Sequence, residues 1–325
     1  MNRLDVEGAL PSLAGATTWI NSEPLTREGL RGRVVLVNFC TYTCINWIRS
    51  LPWVRAWADT YGDRGLTVVG VHTPEFSFEH DLDNIRRALK AMDVRFPVAV
   101  DNDYAVWTAF DNNYWPALYF VDARGRIRHH WFGEGAYEES ERALQRLLGE
   151  AGADGVDGPL VELEPTGIEL GADWDTLGST ENYLGFGRTE GFASPGGPVP
   201  DQRHAYTAPG SLRRNQWALA GDWRIGPEAT SLDSPGGSVS YRFRARDLNL
   251  VMGPTRAEAP VPFRVRVDGR PPGPAHGLDV DEDGRGTLGD PRLYQLVRQP
   301  APIVERLFEV EFPDAGAAVF DFTFG

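Results

Sequence analysis

Two cysteines carry the most reactive side chains of this 325-residue chain, Cys40 and Cys44, and it has no others. A thiolate attacks disulfides and peroxides, so two neighbouring thiols point to chemistry in which sulfur itself carries the electrons, with no organic cofactor and no metal. Their surroundings suggest which one attacks. The run Val34-Val-Leu-Val-Asn-Phe39 is apolar and mostly β-branched, a short buried strand that delivers Cys40, while Ile45, Ile48, Leu51, Val54 and Trp57 recur near helical spacing. A helix starting near Cys44 aims its unbonded N–H groups and positive dipole end at that sulfur and favours thiolate over thiol. Cys44 is the expected nucleophile and Cys40 the candidate resolving thiol. His72 and Glu75, at and just past the end of the next strand, are candidate proton carriers at the same sheet edge, and a solvated loop pair is the competing reading.

The elements that must hold these residues alternate. Leu66–His72 reads as a strand after a glycine turn, 81–92 as an amphipathic helix through Leu82, Ile85, Leu89 and Met92, and 96–101 as a short strand followed by a helical turn through Val106 and Phe110. Strands at 117–121 and 127–132 are joined by Asp122-Ala-Arg-Gly125, a hairpin turn whose glycine supplies positive φ. A helix over 137–148 closes this α/β half. The glycine- and acid-rich stretch from 149 to 158 reads as a linker. Beyond it the helical period is gone. Seven strand candidates, 216–220, 238–245, 248–252, 261–267, 293–297, 306–312 and 318–324, predict an antiparallel β-sandwich. The expected division is a redox domain over 1–152, a linker over 153–170 and an all-β domain over 171–325.

A 42% hydrophobic fraction supports ordinary cores, and a net charge of −14 argues against nucleic acid or an anionic membrane surface as partner. No stretch of about 18 apolar residues runs unbroken and no leader pattern shows at Met1–Ala16, so the sequence reads as cytoplasmic, with an extracytoplasmic place for a trimmed parent. The vicinal His129 and His130 on a strand point to opposite faces and share no metal. Asp279-Val-Asp-Glu-Asp-Gly284 has calcium-loop spacing, yet without flanking helices it reads as an acidic hairpin. Trp217 and Trp223 read as core rather than as sugar platforms.

Val-Leu-Val-Asn-Phe, a cysteine opening a helix, Pro52 eight residues past it and the lead-in Trp19-Ile-Asn-Ser-Glu-Pro-Leu-Thr26 resemble the active-site segment of thioredoxin-like proteins, above all their TlpA-type branch. Tyr114-Trp115-Pro116-Ala-Leu-Tyr-Phe-Val-Asp122 resembles the segment carrying that family's cis-proline. The resemblance implies a thioredoxin fold, catalysis by Cys44 with Pro116 beside it, and an apolar collar of Trp47, Trp115 and Tyr42 for the substrate. The chain departs from the pattern in three places. Trp47 stands where the second cysteine of Cys-x-x-Cys falls, Cys40 where an aromatic is usual, and Asn38 where many relatives keep a buried, proton-managing acid. Glu181-Asn-Tyr-Leu-Gly185, Trp217-Ala-Leu-Ala-Gly-Asp-Trp223 and Val261-Pro-Phe-Arg-Val-Arg-Val-Asp-Gly269 extend the likeness to the C-terminal region of DipZ-type proteins, with a carbohydrate-binding-module-like sandwich.

Three functions fit. The first is a thiol–disulfide oxidoreductase using Cys-x-x-x-Cys, whose partners are a protein disulfide or thiol and a thiol electron donor. The second is a thiol peroxidase, since Thr41-Tyr-Thr-Cys44 is similar to the Thr-x-x-Cys core of peroxiredoxins, although Val37 replaces the proline of that pattern. The third is a redox-inactive binding protein whose sandwich takes a glycan or protein ligand.

Overall fold

The computed structural model describes residues 4–256 and 260–325; Met1–Arg3, where the stretch read for a leader begins, lie outside the described residues. The chain forms two compact units that meet in sequence at Leu170 and Gly171. Among the described residues, no helix is long and apolar enough to cross a membrane.

The first unit contains, in order, β1 (Gly8–Ala9), β2 (Thr18–Ile20), β3 (Val34–Cys40), α1 (Ile45–Tyr61), β4 (Leu66–His72), α2 (Leu82–Ala91), β5 (Val98–Val100), α3 (Ala105–Ala109), β6 (Ala117–Val121), β7 (Arg126–Phe132) and α4 (Tyr137–Glu150). The strands lie in the order β1-β7-β6-β3-β4-β5-β2, a thioredoxin-like mixed sheet. Its centre is β3, parallel to β4 with Cys40 opposite His72, and antiparallel to β6 with Phe39 opposite Ala117. Every residue of β3 is buried, as a strand covered on both faces must be, and this is why its sequence is an apolar run rather than an alternation. Val35, Val37 and Phe39 enter a core with Leu13, Val71 and Phe110. Asn38 and Cys40, two apart, share the other face. At the β6–β7 hairpin the Asp122 carboxylate accepts from the Arg124 and Arg126 N–H groups, and Gly125 takes φ of 77°, the conformation its position predicts. Residues 153–170 carry no helix longer than one turn and lie on this unit: the Val161 N–H donates to Glu141 and Arg55 pairs with Glu169 at 2.8 Å.

The second unit is all β: β8 (Asn182–Tyr183), β9 (Arg203–Tyr206), β10 (Trp217–Ile225), β11 (Thr230–Leu232), β12 (Gly237–Phe243), β13 (Asp247–Pro254), β14 (Val261–Val267), β15 (Arg285–Leu288), β16 (Arg292–Arg298), β17 (Arg306–Phe312) and β18 (Ala317–Phe324). One sheet runs β15-β14-β17-β12-β10 and the other β10-β11-β18-β13-β16. Strand β10 belongs to both. Its residues 217–220 pair with β12, and 223–225 pair with β11. The crossing falls at Gly221, with φ of 98°, where a Cβ would stand 2.9 Å from the Cα of Gly237. A strand that changes sheets needs such a corner. Between the sheets lie Trp217, Trp223, Tyr241, Phe308 and Phe322. Trp217 donates to the Glu190 carbonyl and Trp223 to that of Ala220, both indoles being wholly buried. Asp279 accepts from Arg292 and from the Gln295 N–H, and Asp283 from Arg285, so arginines occupy carboxylates of the acidic hairpin.

Candidate active site

Cys44 is the N-cap of α1, with extended backbone (φ −72°, ψ 113°), and no side chain caps that helix end. Its N–H donates to the Thr41 carbonyl at 3.2 Å and its own carbonyl accepts from Ile48 at 3.0 Å, which sets it between a tight turn and the first helical turn. The helix begins here because β3 ends at Cys40 and Ile45 opens the buried stripe continued by Ile48 and Leu51. The first N–H groups of a helix have no intrahelical acceptor, so negative charge on a cap residue is stabilised. The side chain is partly exposed, and Sγ lies 3.7 Å from the Trp115 carbonyl. The Trp115–Pro116 peptide is cis. Cys44 and Pro116 therefore come together from segments more than 70 residues apart.

Cys40 is placed differently. It is buried as the last residue of β3, and its thiol donates to the Val71 carbonyl on β4 at 3.4 Å. Burial, and after it the charge of Glu79, pushes this thiol well above the usual cysteine range. The two sulfurs thus face carbonyls on opposite flanks of β3: Val71 on the β4 side, Trp115 at the approach to β6.

The expected collar divides. Trp115 is partly exposed and packs on Trp107 with centroids 4.4 Å apart. Trp47 is wholly buried, donating through Nε1 to the Asn38 side-chain oxygen at 2.9 Å. Tyr42 is buried and stacks on His72 at 5.6 Å. Trp47 and Tyr42 thus occupy the interior, because the helical turn after Cys44 directs position 47 down onto the sheet. Tyr114 and Phe132, exposed and stacked at 4.7 Å, form instead the aromatic surface beside Pro116.

Of the proton carriers, Asn38 is an amide engaged with Trp47. His72 is wholly buried opposite Cys40, and burial pushes its imidazole down to about 3, so near neutrality it is uncharged. Glu75 is partly exposed and gives its N–H to the Glu79 carboxylate at 2.6 Å. That carboxylate, absent from the expected set, is wholly buried directly under the Cys44 loop. The sequence holds one hint of it: a glutamate three residues into a short helical turn can reach back to the N–H that opens the turn, and Glu79 does so to Phe76 at 3.0 Å.

Known proteins carry parts of this arrangement. The AhpC/TSA family profile matches residues 10–130, and a profile described as thioredoxin like C-terminal domain matches residues 179–325. Protein DipZ of Mycobacterium tuberculosis is 34% identical over 328 residues, 99% of this chain and 44% of DipZ. The thiol-disulfide oxidoreductase YkuV of Bacillus subtilis is 34% identical over 142 residues, 43% of this chain and 95% of YkuV. The solution structure of a thioredoxin-like protein in its oxidised form, 34% identical, aligns with 44% of this chain and 96% of its own at a TM-score of 0.41. The chain spans less than half the length of DipZ.

Proposed function

Because this chain belongs to the thioredoxin-like family of thiol–disulfide oxidoreductases, we propose that it exchanges thiols for disulfides through Cys44. The observation that carries the reading is the placement of Cys44, a partly exposed thiol at a helix N-cap, 3.7 Å from the carbonyl preceding a cis-proline. As thiolate it attacks one sulfur of a disulfide; that S–S bond breaks, the second sulfur leaves as thiolate and takes a proton, and Cys44 is left in a mixed disulfide. A second thiolate then attacks the substrate sulfur of that mixed disulfide, forms a new S–S bond with it and expels Cys44 as thiolate. The burial of Cys40 and its bond to Val71 favour a thiol of the electron donor for this step over Cys40. Trp115, with Tyr114 and Phe132, offers an apolar face to the polypeptide bearing the disulfide. Whether the protein reduces or oxidises its partner follows from its potential against that of its compartment.

The test is mass measurement after alkylation of protein equilibrated with graded ratios of reduced and oxidised glutathione. Expected is a glutathione adduct on Cys44 that survives in Cys40→Ser and vanishes in Cys44→Ser. A Cys40–Cys44 disulfide would return Cys40 to the resolving role. Rapid peroxide consumption with sulfenic acid on Cys44 would make the protein a peroxidase, and two inert thiols would leave a binding scaffold.

A further inference from the structure

The exchange chemistry leaves one group next to the nucleophile without a task. Glu79 lies in the single helical turn Ser77–His80 after β4 and is wholly buried. One carboxylate oxygen, Oε1, accepts from the Thr43 hydroxyl at 2.7 Å and from the Thr43 N–H at 3.3 Å. The other, Oε2, accepts from the Glu75 N–H at 2.6 Å and the Phe76 N–H at 3.0 Å. An ionised carboxylate offers about four lone-pair sites and donates nothing, so these four donors match the ionised form. Two of the bonds end on the residue immediately before Cys44, and two on the loop beyond β4. The side chain staples one loop to the other. Three of the four partners are N–H groups that only donate, and the Thr43 hydroxyl alone can also accept, so the carboxyl group keeps its hold on Thr43 in either protonation state.

We infer that Glu79 is a positioning residue for Cys44: its carboxyl group clamps Thr43 and so holds the nucleophile at the N-cap of α1. The inference rests on Cys44 being the exchanging thiol. Burial pushes the Glu79 carboxyl up to about 7, against the pull of the loop hydrogen bonds, so ionisation across neutrality weakens the closed loop relative to an opened one in which the carboxyl meets water. The titratable groups around it are few. Cys40, at the end of β3, is kept protonated by burial, and His72 on β4 is kept neutral. Glu75 and His80 belong to its own loop, and His80 is exposed.

Two readouts on the full chain test this. The first is hydrogen exchange of the segment around Thr43, corrected for intrinsic rates: because opening exposes the carboxyl to water, wild-type protection should be about tenfold lower near pH 8 than near pH 6, and Glu79→Gln should show no such step. The second is the rate at which Cys44 reacts with dithiodipyridine. Wild type should exceed Glu79→Gln about tenfold near pH 8, since the amide nitrogen of glutamine cannot replace an accepting carboxylate oxygen. Glu79→Asp should regain part of the step, and His80→Gln should keep all of it. A variant as fast as wild type near pH 8 overturns the inference, and so does wild-type protection flat with pH, a result that stands even if the variants fold poorly. If the protection step appears while Cys44 reacts at neither pH, the oxidoreductase reading has failed and the positioning role with it; a missing step beside normal reactivity sinks the clamp alone.

Discussion

Replacing Glu79 by glutamine should remove a pH dependence of folding whose size the site itself sets. The carboxyl sits at about 7 in the folded chain against an ordinary 4.5, burial being the largest cause. That displacement corresponds to on the order of 3 kcal/mol. Below 4.5 the folded and unfolded chains both hold the proton and the group has no effect. Between 4.5 and about 7 the unfolded chain releases a proton that the folded chain keeps, so stability falls as pH rises, and above 7 the loss is complete. His72 acts in the opposite sense. Burial moves it from 6.5 down to about 3, so the unfolded chain gains a proton as pH drops through that range and stability falls with it. Where the two ranges overlap the slopes offset, and the wild-type curve is flatter than either group alone would make it. The informative quantity is therefore the difference between variant and wild type. Glutamine does not titrate, so Glu79→Gln should gain on wild type by on the order of 3 kcal/mol between about pH 4.5 and pH 8. Native-state hydrogen exchange of the β3 and β4 amides, which reports opening of this unit without requiring both units to unfold together, measures it. A difference that stays constant with pH would refute both the burial of the charge and the role built on it.

Trp47→Cys restores Cys-x-x-Cys spacing to the sequence, yet it removes a wholly buried indole and its bond to Asn38; it should cost roughly 3–5 kcal/mol, seen in thermal unfolding, and destabilise far more than Cys40→Ser does. In the second unit, Gly221→Ala puts a Cβ against Gly237 at a backbone conformation L-residues rarely adopt. It should cost roughly 1–3 kcal/mol from the backbone alone, seen as a lower urea midpoint of the sandwich.

The sequence was most informative where the signal is local. β3, β4, β6 and α1 announce themselves by runs and periods inside a few residues. The elements it did not show are short: β1, β2, β8, β9, β11 and β15 span two to four residues each and exist because a longer neighbour offers them a ladder. The second half of β10 was hidden for another reason, since Gly221-Asp222 reads as a turn and is the point where the strand changes sheets. Within the site, Cys44 and Pro116 lie in recognisable segments. That Trp47 points inward follows from helical phase only once the helix start is known. Glu79 could not be read off the chain. Its partner Thr43 is 36 residues away, and the capping position in Phe76-Ser-Phe-Glu79 hints at the bond back to Phe76 but not at the bonds to Thr43.

The four-residue spacing of the thiols is itself informative once the elements are in place. A disulfide needs Cα atoms roughly 4.4–6.8 Å apart and Cβ vectors that converge. Cys40 is held in the ladder of β3, whose carbonyl accepts from the Thr73 N–H while its thiol turns to Val71. Cys44 lies beyond a turn and faces Trp115. Closing a bond between them would require Cys40 to leave the β4 side of the sheet or Cys44 to leave the cis-proline, so each thiol is engaged where the other is not. Glu79 reinforces the division. Burial holds Cys40 protonated, and the carboxylate that anchors Thr43, next to Cys44, adds to that effect.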